Sequence, residues 1–183
     1  GNTDNTAATF DSNSNKVVIA YRDIDSSQHG TAVVGTVDPS DNSISFGSEV
    51  VFESAVTSAI GMTFDSNSNK VVIVYKDEGG SFYGTAIVGT VSGTSISFGT
   101  PVVYKSATTS SNSATFDSNS NKVVVGYTGG AKVGTVSGTS ISFGSETAFI
   151  GSSASRTSMV FDSNSNKVVI SSRAQADDRS YAA

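Results

Sequence analysis

The string Phe-Asp-Ser-Asn-Ser-Asn-Lys-Val-Val occurs four times without a mismatch, starting at Phe10, Phe64, Phe116 and Phe161. Each copy sets carboxylate and amide oxygens at alternate positions. Asp11, Asn13 and Asn15, and again Asp65, Asn67 and Asn69, match the first half of a calcium loop, where alternate oxygens ligate a hard cation. The second half does not follow. Lys16 stands where such a loop needs glycine for its sharp turn, and Ile19 and Arg22 occupy the later ligand positions. The same residue types serve hairpin turns, because Asp and Asn bond their own backbone and tolerate left-handed conformations. The expectation is a calcium-free turn in each copy and no cofactor, with these six residues as the metal candidates.

Catalysis by side chains is poorly supplied. His29 is the sole histidine. It lies eight residues after Tyr21, in the slot that Tyr83 fills after Tyr75, and reads as a loop variant of that aromatic. A triad needs a positioned nucleophile and an orienting acid, and no serine sits in a Gly-x-Ser-x-Gly elbow. Asp23, Asp25, Asp77 and Glu78 cluster after a Val/Ile-rich run. Paired carboxylates can hydrolyse glycosides, but the third repeat deletes this loop, which reads as solvated. Tyr21, Tyr75 and Tyr127 recur at one position and read as packing residues with a hydroxyl at the edge. Phe82 and Tyr83, with His29, are the sugar-contact candidates, since rim loops carry function. The expectation is no enzyme activity.

These residues are positioned by one repeat used about three and a half times. Ser-Ile-Ser-Phe-Gly recurs with its aromatic at Phe46, Phe98 and Phe143, and Gly-Thr-Val starts at Gly35, Gly89 and Gly134. The spacing from Phe46 to Phe64, Phe98 to Phe116 and Phe143 to Phe161 is 18 residues each time. Length variation falls in two connections only, as in loops on a rigid frame. In the second repeat Ser58–Phe64, Lys70–Lys76, Tyr83–Val91 and Ser95–Tyr104 read as four strands, the last bent near Gly99 and Pro101. The second and third are apolar on both faces, which suits sheets that bury one another. The invariant spacing predicts that Phe10, Phe64, Phe116 and Phe161 are equivalent buried residues, and likewise Phe46, Phe98 and Phe143.

Composition agrees. The 183 residues contain no Cys, no Trp and no Leu. Val, Ile, Phe and Tyr favour strands, and a helical bundle without Leu lacks its usual core filler. There is no disulfide framework or thiolate site. The net charge of −5 lacks the basic patch that nucleic acid requires. No apolar run approaches the ~18 residues of a membrane span, so no membrane insertion is expected. Asn-x-Ser/Thr is absent, which excludes N-glycosylation at that motif.

The pattern predicts an all-β protein of tandem four-stranded antiparallel meanders, with repeats near 6–56, 57–108, 109–154 and an incomplete 155–183. The stretch Ala59 to Tyr75 resembles the first two strands of NHL-type β-propeller blades: a strand ending in Asp, a polar turn, then Asn and a Val/Ile-rich strand. This resemblance implies stacked blades, about three and a half of them. The tandem style also resembles repeats of bacterial surface and phage tail-fibre-like proteins. It implies a non-enzymatic structural or adhesive repeat protein at an extracellular, virion or cell surface, and carries no catalytic residue. The alternatives are a carbohydrate-binding propeller using rim aromatics and a fragment of a propeller hydrolase. Arg179 to Ala183 aligns with the start of a third strand, so a strand edge beside Lys167–Ser171 is expected to pair with other copies or with further repeats of a longer chain. Glycans are the other partner class.

Overall fold

The computed structural model describes residues 1–149, 154–174 and 180–182. Every regular element among them is a strand, and every strand pair is antiparallel. β1 (Thr3–Asp11), β2 (Lys16–Asp23), β3 (His29–Asp38) and β4 (Ser43–Phe46) form a first leaf, which the start of β5 (Val50–Asp65) completes. β3 pairs β4 along one half and β5 along the other. β5 then continues without a break into a second leaf with β6 (Lys70–Asp77), β7 (Tyr83–Ser92), β8 (Ser95–Phe98) and β9 (Val102–Thr108). One strand thus serves two leaves, and the nine-stranded sheet curls over on itself as a half-barrel.

A third leaf holds β10 (Ser113–Asp117), β11 (Lys122–Tyr127), β12 (Gly130–Ser137), β13 (Ser140–Phe143) and β14 (Thr147–Ala148). The fourth holds β15 (Ala154–Asp162), β16 (Lys167–Ala174) and β17 (Ser180–Ala182). The bent fourth strand expected of the second repeat is two strands, β8 and β9, broken between Phe98 and Val102 around Gly99 and Pro101. The expected edge at Lys167–Ser171 is covered at its Ser171 end, where Ser171, Arg173 and the residue between them pair with β17.

The four repeated strings give four hairpins in one register. Phe10 faces Val17, Phe64 faces Val71, Phe116 faces Val123 and Phe161 faces Val168. Alternation along β6 sends Val71, Ile73 and Tyr75 to one side and Val72 and Val74 to the other. The first set packs on Val18, Ala20, Ala32 and Val34 of the first leaf. The second packs on Val123, Val125 and Tyr127 of the third. Each leaf therefore has a phenylalanine face and a valine face, and the second and third leaves set the former on the valine face of the leaf before.

Glycine is needed at two places in this stack. Gly89 stands between Val71 and Phe98 in the register, and an added Cβ there would lie 2.7 Å from Ile96 Cδ1 and 3.0 Å from Phe98 Cε1. Gly35 and Gly134 repeat this arrangement with their own Ile and Phe. Gly99 is the second kind. A Cβ there would overlap the carbonyl oxygen of Thr139 in the β12–β13 turn of the following leaf, and Gly47 meets Thr94 in the same way. The turns of the second and third leaves thus seat on the glycine of the leaf before.

The expected equivalence of the phenylalanines holds in register and fails in burial. Phe64 is 8% exposed, but Phe10 is 53% and Phe46 51% exposed. Spacing fixes which face a side chain joins. Whether another leaf covers that face is a tertiary matter, and among the described residues none covers the phenylalanine face of the first leaf.

Candidate functional site

The Asp-Ser-Asn-Ser-Asn segments are hairpin turns. Asp65 Oδ1 accepts the backbone N–H of Asn67 at 2.9 Å and of Ser68 at 3.0 Å, and Asp11 does the same for Asn13 and Ser14. Ser14 Oγ donates to the other Asp11 oxygen at 2.6 Å. The final asparagines, Asn15, Asn69, Asn121 and Asn166, have φ between 54° and 56°, the left-handed conformation this residue tolerates. The serine hydroxyls bonded to Asp117 and Asp162 hold those carboxyls below their ordinary value, since an accepting carboxylate favours its charged form. The carboxylates of Asp11 and Asp65 are therefore engaged by their own turns. Among the described residues no three His, Asp or Glu side chains gather as a metal site.

His29, Phe82 and Tyr83 lie at the opposite end of the leaves, in or beside the β2–β3 and β6–β7 loops. His29 opens β3 opposite Asp23, and Tyr83 opens β7 opposite Asp77, so the two occupy one register position in successive leaves. Phe82 precedes Tyr83 with φ of 56° and a ring 46% exposed. Lys76 Nζ stands 5.8 Å from that ring's centroid, a cation–π distance. The nearby acids are partly consumed. Glu78 pairs with Lys76 at 2.7 Å and accepts from Ser58 Oγ, and these contacts, Lys76 first, hold its carboxyl below the ordinary value. Asp4 pairs with Arg22, Asp25 accepts from the backbone of Asn2, and Asp77 closes its own turn onto Gly79. Chemically this end offers one exposed aromatic ring beside a cation.

The recurring tyrosines are packing residues with a polar tip. Tyr75 is fully buried, and its hydroxyl donates to Glu53 at 3.1 Å. Its ring meets Phe52 edge-on at a centroid distance of 5.3 Å. Tyr127 meets Tyr104 at 5.4 Å in the next interface. Tyr21 donates to Glu49 at 2.5 Å but has no ring contact among those described from a preceding leaf. Burial raises the pKa of Tyr21 and Tyr75 above the ordinary phenol range, and Glu49 and Glu53 add to the shift. The ring partners escaped the sequence reading. Their signal was a constant six-residue spacing, Phe46 to Phe52, Phe98 to Tyr104 and Phe143 to Phe149.

The face that the first leaf leaves uncovered forms a groove of about 480 Å³, lined by Ile19, Tyr21, Val33, Phe46 and Glu49 among others. A shallower groove of about 470 Å³ crosses the turn ends of the leaves and includes Phe10, Phe64, Phe116 and Phe161. Comparison of the sequence with protein-family models and with curated proteins gave no match.

Proposed function

We propose that this chain is a non-enzymatic structural or adhesive repeat protein whose leaves stack as propeller-type blades, and that it works at an extracellular, cell or virion surface. The observation that carries the reading is the identical register of four hairpins, down to the Phe–Val pair that closes each one. An enzyme needs one asymmetric constellation, whereas a scaffold needs one surface many times. Here the repeated strings are spent on the frame: turn closure, the glycine seats and the aromatic contacts between leaves.

A second reading, carbohydrate binding at the rim, draws on the exposed Phe82 ring beside Lys76. An exposed aromatic face offers an apolar surface on which a sugar ring can stack.

The two are separated by a glycan array, a panel of glycosidase substrates and single-molecule pulling. The scaffold reading expects no retention, no turnover and a series of similar unfolding steps. Retention that Phe82→Ala and Tyr83→Ala abolish would replace it with the lectin reading. Turnover of any glycoside would overturn both.

A further inference from the structure

The outward faces of the first and fourth leaves present opposite halves of one interface. At the first leaf, Phe10, Ile44 and Phe46 are exposed on the phenylalanine face, at 53%, 43% and 51%. In the second leaf, Phe64 and Ile96 hold the same register positions as Phe10 and Ile44 and are buried under the preceding leaf. At the fourth leaf, Val160 and Val169 are exposed on the valine face, although Val18 and Val72 are fully buried at the position of Val169.

We propose that the phenylalanine face of the first leaf binds the valine face of the β15–β16 hairpin of a second copy of this chain, head to tail. The chain itself supplies the template, since the same contact is made between the first and second leaves and between the second and third. The β15–β16 hairpin fits it by register. Its Val160–Val169 and Ser158–Ser171 pairs fall where the first leaf has Thr9–Val18 and Ala7–Ala20, which are changes of one or two heavy atoms. Ala7, Val18 and Ala20 are the β1–β2 residues on which the second leaf packs, beside Ala32 and Val34 of β3. The contact is heterologous, so it closes into a ring or continues as a filament according to the rotation between copies. It uses faces, whereas edge pairing at β16 would extend a single sheet.

The inference rests on the scaffold reading but is tested apart from it, by sedimentation velocity on the purified 183-residue chain and two variants. Phe46→Lys charges the head and Val160→Lys the tail. Both positions are exposed, so the folds should survive, and circular dichroism melts check this. The wild-type chain is expected to gain mass with concentration across the micromolar range, and each variant alone to stay monomeric. An equimolar mixture should form a dimer and nothing larger, since each variant keeps one intact end. A wild-type chain that stays monomeric throughout overturns the inference and leaves the scaffold reading standing. Loss of association in Phe46→Lys alone overturns it in favour of a head-to-head contact, and unchanged association in both variants overturns it in favour of edge pairing.

Discussion

The ring of Tyr75 meets the ring of Phe52 edge-on at 5.3 Å, across the gap between the first and second leaves. Tyr127 and Tyr104 repeat the contact across the next gap. Each of these two interfaces holds a second ring contact, Phe52 with Phe98 at 5.7 Å and Tyr104 with Phe143 at 5.6 Å, so one aromatic residue of the earlier leaf meets two of the later one over layers of Val, Ile and Ala.

Coverage by the preceding leaf should separate chemically identical residues. Phe64→Ala should cost about 3–5 kcal/mol, the range for truncating a buried aromatic. Phe10→Ala, at the same register position on a face uncovered in the monomer, should cost under about 1 kcal/mol at concentrations too low for self-association, as surface substitutions do. Urea titration of both variants measures the difference. Equal losses would mean that the first leaf is covered in the isolated chain.

The glycine seats should respond in the same manner. Gly99→Ala forces a methyl onto the Thr139 carbonyl and should destabilise by about 1–3 kcal/mol or more, as overpacking does. At Gly144 the nearest atom to an added Cβ is Val133 O at 3.8 Å, so Gly144→Ala should be close to neutral. Thermal melts of the pair decide it.

Asn5, Ala59, Ser111 and Arg156 occupy one position in the four leaves, and each has φ between 51° and 55° or, for Ala59, 49°. Asn5 Oδ1 accepts the Ala59 N–H at 3.0 Å, and Ser111 Oγ accepts the Arg156 N–H at 2.7 Å. Ala59 has no acceptor to offer the next leaf. Ala59→Asn should stabilise by about 0.5–1.5 kcal/mol, because Asn suits this backbone and supplies that hydrogen bond. Asn5→Ala should lose a similar amount. A melting temperature that is unchanged or lowered in Ala59→Asn would contradict the account.

Asn112 is 7% exposed, and neither its Nδ2 nor its Oδ1 has a hydrogen-bond partner among the described residues. The second repeat has Ile60 at this position, four residues before the turn phenylalanine. Asn112→Ile should therefore stabilise by about 1–3 kcal/mol, the cost of a buried unsatisfied polar group. A destabilised variant in chemical denaturation would contradict this account.

Tyr21, Tyr75, Tyr104 and Tyr127 are all raised above the ordinary value of 10.0, burial being the largest cause in each. The folded state thus holds phenol protons that the unfolded state releases. The associated stability is fully present below pH 10.0 and is lost as pH climbs toward the raised values. Melting temperature should be flat up to that point and then fall. Tyrosinate absorbance of the buried rings should appear together with unfolding, and ionisation without loss of near-ultraviolet dichroism would refute this.

The sequence by itself determined everything local. The Asp-Ser-Asn-Ser-Asn turns, the Phe–Val register and the alternation of Val71, Ile73 and Tyr75 against Val72 and Val74 follow from turn chemistry and the two-residue period of a strand. These interactions close within a few residues, so the residues alone specify them. The candidates at the far end were legible as aromatic loop positions, but the ion pairs that occupy Glu78 and Asp4 were not. Only the tertiary structure decided which faces are covered. Phe10 and Phe64 sit in the same nine-residue string, and burial depends on a leaf some fifty residues distant in the sequence. The seating of Thr139 on Gly99 and the meeting of Tyr75 with Phe52 also join residues from different leaves. No local period encodes them, because they exist only once one sheet has been laid on another.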